Sequence, residues 1–401
     1  MRTLRIAAKL ACCLATSACF NSVPPPAPLP AVDQPVATQL ELRDDTRRLW
    51  AQRAFLTRNY VVDVLAELPS QDATLQQLNL NQIALGEQMK PYYGDAAGEA
   101  YTQLLQENIN LANQLIVATK DGDRKALVQQ LTNDWQLSTS RLADFLADQN
   151  PNLSREELHL MLQGYTDVTA QQVNERLAKN WDGDIAAADA SMLQVQTIAD
   201  ALALGLATQF PQKVTAPTEG TNEQTLHVAL RSLWLDHVNW ERLFIISDLS
   251  QLPDVTATSN RLMKNQVDLG EALKPFYGNA AGTKLADLLT QHVALATDVL
   301  RAAQSGDQAA LGVANEKWVD NANQIGSYLA ATNPYLLEAD MQEMMQAHLS
   351  QLVVEVQSRL SGDFTGELNA HEIVQHHILV LSDSIAHAIS NQFTGNFKPE
   401  G

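Results

Sequence analysis

The sequence predicts an all-α protein built as two homologous up-and-down helical bundles in tandem, and three observations carry this prediction. Apolar residues recur at steps of three and four, as along residues 285–303, and strand-like alternation is absent. Helix starts and stops are well marked, as in the capping-box pattern at residues 154–157. Residues 41–210 and 224–393 align with each other nearly without gaps. A helical pattern that occurs twice indicates two bundles of one design.

The first 18 residues have the pattern of a secretory signal peptide. Basic residues precede an apolar stretch that is too short to span a bilayer. Cys19 follows Thr16-Ser17-Ala18, which is similar to the lipobox of bacterial lipoproteins, so we expect Cys19 to become the lipidated N-terminus. The alternative is ordinary cleavage near Ala18.

Residues 19–40 are rich in proline and predict an extended, semi-rigid linker. All three cysteines of the chain precede this linker or begin it, so the folded part is expected to lack disulfides. We therefore expect an exported protein of the cell envelope or periplasm, anchored to a membrane through a lipid on Cys19.

The two copies share long stretches of sequence. The segment NQIALGEQMKPYYGDAAG (81–98) matches NQVDLGEALKPFYGNAAG (265–282), and a polar linker, 211–223, joins the copies. Residues 394–401 form a short tail. Because solenoid repeats are about 20–50 residues long, two repeats of this size predict two homologous domains.

Each copy is expected to contain long helices joined by short turns, which favours antiparallel packing. The proline of the K-P-[YF]-Y-G stretch is expected to break a helix that ends at Gly94 or Gly278. For the second copy we predict long helices at 224–252, 279–303, 307–331, 336–361 and 366–392, and a shorter one at 257–272.

Composition and motifs exclude several classes of function. The 27 basic residues are outnumbered by 46 acidic ones, so a formal net charge of −19 argues against nucleic-acid binding. The chain has no Gly-rich phosphate loop, no G-x-S-x-G elbow, no H-E-x-x-H and no C-x-x-C. No familiar catalytic class is therefore indicated.

Histidines are concentrated in the second copy, which holds eight of the nine. Four of them fall near the middle of a predicted helix, on or beside its apolar face: His237, His292, His348 and His377. Mid-length positions of antiparallel helices share one level, so we expect these imidazoles to converge inside the bundle. His227, His371 and His387 are expected at the surface or at its boundary.

Carboxylates accompany these histidines. Glu241 lies one helical turn beyond His237, and Glu355 lies two turns beyond His348. Imidazole and carboxylate ligands from facing helices suit Zn, Fe, Mn or Cu. The sequence therefore predicts a transition-metal or small-ligand site formed by His237, His292, His348, His377, Glu241 and Glu355.

The first copy supplies an internal comparison. Its residues at the four histidine positions are Arg53, Asn108, Tyr165 and Gln194. The four histidines are replaced together, as expected if they act as a set. The replacements are polar as well, so the alternative is a hydrogen-bonded or pH-sensing polar layer in both copies. In that case the protein would be a non-catalytic envelope scaffold or partner-binding module.

Nearly all of both copies, the second more closely, resembles a bacterial family of helical proteins whose function is unassigned. The resemblance is carried by the pattern LWxxHVxW…KPxYGxxAG…NPxxxxxxMxxMMxxHL, within residues 233–247, 274–282 and 333–364, together with 288–295 and 376–385. It implies an all-helical unit and draws attention to His237, His292 and His348. Some members carry labels such as glycosyltransferase or acetylglutamate kinase, but this chain has neither a nucleotide-phosphate loop nor α/β alternation to support them.

Overall fold

The computed structural model describes residues 36–122, 124–217 and 220–397. Within these ranges the protein is all-α, with twelve α-helices and almost no strand. Cys19 and the predicted signal peptide lie outside the described residues. The predicted all-α helical-bundle class is confirmed.

The first six helices are α1 (Gln39–Leu65), α2 (Gln71–Tyr93), α3 (Asp95–Lys120), α4 (Lys125–Gln149), α5 (Arg155–Leu177) and α6 (Trp181–Gln209). The second six are α7 (Thr221–Leu249), α8 (Val255–Tyr277), α9 (Asn279–Ser305), α10 (Gln308–Thr332), α11 (Glu338–Ser361) and α12 (Phe364–Gln392). A two-residue strand β1 (Ala37–Thr38) pairs in parallel with β2 (Val214–Thr215), and a 3-10 turn, Thr394–Asn396, follows α12.

Each half of the chain forms a closed ring of six helices. Within each half, every helix packs against the next one along the chain, and α6 and α12 return to pack against α1 and α7. The short connections make sequential helices antiparallel. The two halves also share helix lengths: α2 and α8 both have 23 residues, and α6 and α12 both have 29.

The helices α2 and α8 continue through their prolines, contrary to the prediction of a short helix at 257–272. Pro275 lies in the last turn of α8, where it removes a single backbone hydrogen bond and the helix ends two residues later. Gly278 follows with φ 83°, a left-handed conformation that favours glycine, and its N–H donates to the carbonyl of Lys274. Gly94 ends α2 in the same way.

The two halves share an interface with an apolar core. The helix pairs α1–α7, α2–α12 and α6–α8 are in contact, and Phe55 of α1 belongs to the same apolar cluster as Trp240 and Phe244 of α7. A buried ion pair joins Arg176 of α5 to Asp254, which precedes α8, at 2.7 Å. The described residues of both halves accordingly form one compact unit.

Among the described residues, α6 is the one helix long and apolar enough to cross a membrane. Half of its most apolar stretch is buried inside the protein, where α6 packs against α1 and α5. Burial within the bundle accounts for part of its apolar character.

Candidate metal centre

Three helices of the second half bring four titratable side chains together. His237 and Glu241 lie one turn apart on α7 and so share a face, while His292 and His348 lie near the middle of α9 and α11. All four are buried, each with at most 3% of its surface exposed. One ligand atom each from His237, Glu241 and His348 lies within 4.8 Å of the other two, so this group could hold a metal ion.

His348 occupies the centre of the cluster. Its Nε2 lies 3.5 Å from Oε2 of Glu241, a separation longer than a good hydrogen bond. The centroid of its ring lies 6.0 Å from that of His237 and 6.2 Å from that of His292. The imidazoles of three helices therefore face one another, as the mid-helix positions predict.

Two amide side chains orient the outer imidazoles. Gln266 Nε2 donates a hydrogen bond to His237 Nδ1 at 3.0 Å. His292 Nδ1 donates to Asn321 Oδ1 at 2.8 Å, and Asn321 Nδ2 in turn donates to the carbonyl of Leu288. Since the amide oxygen faces the ring, Nδ1 of His292 carries the proton and its Nε2 presents a lone pair.

Five polar atoms of the cluster are buried without a hydrogen-bond partner among the described residues. They are both carboxylate oxygens of Glu241, both ring nitrogens of His348 and Nε2 of His292. A buried polar group that makes no hydrogen bond costs about 1–3 kcal/mol. Such a concentration of unpaired donor atoms indicates a site that a cation or a proton would complete.

The electrostatics of the cluster favour neutral rings for His237 and His292 and an ionised carboxylate for Glu241. Burial lowers the pKa of His237 to about 4 and that of His292 to about 4. Burial alone would raise the pKa of Glu241, but the imidazole of His348, with smaller effects from the other two rings, lowers it to about 2. Neutral imidazole and carboxylate are the protonation states in which these residues bind metals.

The first half contains a hydrogen-bonded layer at the same level. Arg53 donates to Asn108 Oδ1 at 2.8 Å, and Asn108 Nδ2 donates to Thr139 Oγ1 at 2.9 Å. The guanidinium of Arg53 also lies over the ring of Tyr165, whose hydroxyl donates to Thr57 Oγ1 at 3.2 Å. Thr57 occupies the place of Glu241. The first half thus links this layer mainly through its own side chains, although Nε of Arg53 has no hydrogen-bond partner among the described residues.

Two residues of the predicted site lie elsewhere. His377 is only half-buried, and its Nε2 donates to the carbonyl of Met344 at 2.8 Å, so this nitrogen faces α11. Glu355 is buried but lies seven residues from His348, which is about 10 Å along α11. It accepts hydrogen bonds from Arg242 at 3.4 Å and from His371 at 3.2 Å. The inclusion of His377 and Glu355 among the ligands is corrected on these grounds.

The prediction that His371 lies at the surface or at its boundary is also wrong. Its ring is buried and stacks on Phe55 of the first half, with 5.0 Å between the centroids. The interface between the halves covers it. His227 is partly buried beside Asp44, whereas His387 is exposed.

Sequence reasoning missed Gln266 and Asn321, which hold the imidazoles. Gln266 belongs to an Asn-Gln pair that occurs in both copies and therefore could not mark the second copy alone. Asn321 has Ser138 at the matching position, and this difference between the copies was the available signal.

A cavity of about 410 Å³ extends from Glu241 between α7, α9, α10 and α11. Glu241 is the one charged residue among the described residues that line it. The walls are formed mainly by apolar side chains, among them Phe244, Val293, Val299, Leu300, Leu352 and Val356. The far end is formed by exposed residues, among them Gly312, Asn315 and Gln357. The carboxylate therefore lies at the inner end of a largely apolar cavity.

Comparisons of the chain with protein-family models, with curated proteins and with solved structures gave no match, and the resemblance noted from the sequence stays a prediction.

Proposed function

We propose that the second half of the protein binds a divalent transition-metal ion through His237, Glu241 and His348, with His292 as a further ligand. The observation that carries the proposal is the set of five buried polar atoms on Glu241, His292 and His348 that have no hydrogen-bond partner among the described residues. A metal ion would pair with the carboxylate and accept lone pairs of the imidazoles.

The comparison between the halves favours a metal ion over a hydrogen-bonded layer. In the first half, Arg53 and Asn108 occupy this level and bond to each other at 2.8 Å. In the second half, the corresponding His237 and His292 bond outwards to amides, and His348 between them has no hydrogen-bond partner among the described residues. Asn321, which accepts the N–H of His292, holds that ring from behind in the way typical of metal sites. His237 would be held in the same way once the Gln266 amide turned its oxygen, which has no hydrogen-bond partner among the described residues, towards Nδ1.

The donor set suits Zn, Fe, Mn or Cu. Glu241 also lines the cavity, so a metal ion bound to it would lie beside a space in which a small molecule fits. This arrangement supports a role in binding a metal together with a small ligand. In this proposal the protein is exported and anchored through Cys19, which the sequence pattern of residues 1–19 supports.

Metal content tests the proposal. The full-length protein is purified without chelator, incubated with each of the four metals, freed of excess metal by dialysis and assayed by elemental analysis. We expect one bound ion per chain, lost in Glu241→Gln and in His348→Ala. His376→Ala, which removes an exposed histidine of α12, is the matched control and keeps the metal. Substoichiometric metal in a fully helical wild-type protein would overturn the proposal and favour the structural polar layer.

A further inference from the structure

The charge balance of the proposed centre favours an anionic ligand. Imidazoles bind metals in the neutral form, so a divalent ion held by the Glu241 carboxylate and by the rings of His237 and His348 keeps a net charge of about +1. An uncompensated charge among apolar side chains is costly. A second anion beside the metal would remove that cost, and no other carboxylate belongs to this group of the described residues.

The cavity provides a path of suitable length to this position. Its lining includes residues 296–303 of α9 and 352–360 of α11. At 1.5 Å per residue these stretches span roughly 10–12 Å. Glu241 is buried at the inner end, whereas Gly312 and Gln357 are exposed at the other end. A ligand could therefore enter between the exposed ends of the helices and extend along α9 and α11 to the metal.

The walls of the cavity indicate the chemical character of the part of the ligand that does not contact the metal. They are mainly aliphatic, and the polar side chains Gln308, Asn315 and Gln357 lie towards the exposed end. A volume of about 410 Å³ falls within the range of about 300–1,000 Å³ that is typical of small-molecule sites. On the basis of the proposed metal site, we propose that the cavity binds an aliphatic carboxylate, whose chain lies between α9 and α11 and whose carboxylate binds the metal ion.

The first half provides a matched control. The corresponding cavity, lined by Trp135 and Val173 among others, has a volume of only about 110 Å³, and Thr57 is not part of its lining. Neither the anion-binding charge nor the space for a chain is present there among the described residues. The ligand is therefore expected in the second half alone.

Isothermal titration calorimetry with decanoate tests this inference on the full-length protein. Metal content is measured first, and decanoate is then titrated into the zinc-loaded and the metal-free protein. Decanol, which is neutral, and decylamine, which is cationic, have the same alkyl chain without the negative charge and are titrated in parallel. Val356→Phe fills the middle of the cavity, and Ala303→Phe fills its outer part in case the first variant does not fold. Val173→Phe makes the matched change in the first half.

We expect one decanoate to bind per zinc-loaded chain. The zinc-loaded protein should bind decanoate at least about tenfold more tightly than the metal-free protein does, and at least about tenfold more tightly than it binds decanol or decylamine. The second-half variants should weaken binding by at least about tenfold without loss of zinc, while Val173→Phe should not. Zinc-loaded protein that does not bind decanoate, or binds it equally without zinc or with the cavity filled, would overturn this inference and leave the metal site standing. Protein that takes up no metal would overturn both.

Discussion

His348 Nε2 lies 3.5 Å from Oε2 of Glu241, and neither atom has a hydrogen-bond partner among the described residues. The two side chains belong to α11 and α7, so this contact joins two helices inside the second ring. At this separation the pair gains little from a direct hydrogen bond. A metal ion between the two groups would instead satisfy both, and would join the helices that carry them.

Metal binding is therefore expected to stabilise the fold. A ligand that binds only the native state adds about 2.7 kcal/mol when its free concentration is about a hundred times the dissociation constant. Differential scanning calorimetry should show a higher Tm for the wild-type protein in zinc than in chelator. Glu241→Gln should show little or no shift, because it lacks the anionic ligand. A zinc-dependent shift that survives in Glu241→Gln would place the metal elsewhere.

The amide of Asn321 is expected to tune the affinity of the site. It accepts the proton of His292 Nδ1 at 2.8 Å and so keeps Nε2 available as a donor. Loss of such a supporting group typically lowers metal affinity about 10–100-fold. Asn321→Ala should therefore weaken zinc binding by that factor in a competition titration. Asn315→Ala, at the exposed end of the cavity on the same helix, serves as the control and should bind zinc as the wild type does.

The fold was predictable because the apolar periodicity of a helix and the residues that begin and end it are local features of the sequence. The predicted helix at 307–331 is found at Gln308–Thr332, one residue away at each end. The helix predicted at 257–272 extends to Val255–Tyr277, because a proline in the last turn costs one hydrogen bond rather than the helix. Local signals therefore gave the elements, and the largest boundary error, five residues at the end of α8, lies where a proline stands near a helix end.

The site was predictable only in part. The position of a residue along its helix, and so its level in the bundle, follows directly from the sequence, whereas the direction in which its side chain points does not. His237, His292 and His348 share a level and face inwards, as the apolar periodicity indicates. His377 lies beside the same stripe, but its ring bonds to the backbone of α11. His371 was misjudged since the sequence of one half does not show which helix face meets the other half.

Exchange of the polar layer between the halves separates folding from metal binding. The variant His237→Arg, Glu241→Thr, His292→Asn and His348→Tyr gives the second half the residues that the first half uses at this level. These residues form hydrogen bonds with one another in the first half, so the variant is expected to keep its helicity and lose its metal. Circular dichroism and elemental analysis check the two parts. Stoichiometric metal in this folded variant would contradict the assigned ligands.

Buried ion pairs lie near the interface between the halves. Asp184 accepts hydrogen bonds from Arg58 at 2.8 Å and from Arg176 at 2.9 Å, and all three side chains are buried. Burial alone would raise the pKa of Asp184, but the two guanidinium groups outweigh it and hold this pKa below its usual value. Removal of one partner from a buried ion pair costs about 3–5 kcal/mol. Asp184→Asn should therefore lower the free energy of unfolding by about that much at neutral pH.

The same pKa shift fixes the direction of the pH dependence. A carboxyl group whose pKa is lower in the folded than in the unfolded chain, where it is about 3.9, stabilises the fold fully above about pH 5. This contribution is lost as the pH falls through the folded-state pKa. Denaturant unfolding measured from neutral pH down to about pH 3 should thus show a steeper loss of stability for the wild type than for Asp184→Asn. Asp182→Asn, which changes an exposed carboxyl two residues away, should follow the wild-type curve. Equal slopes for Asp184→Asn and the wild type would mean that Asp184 does not couple folding to acid.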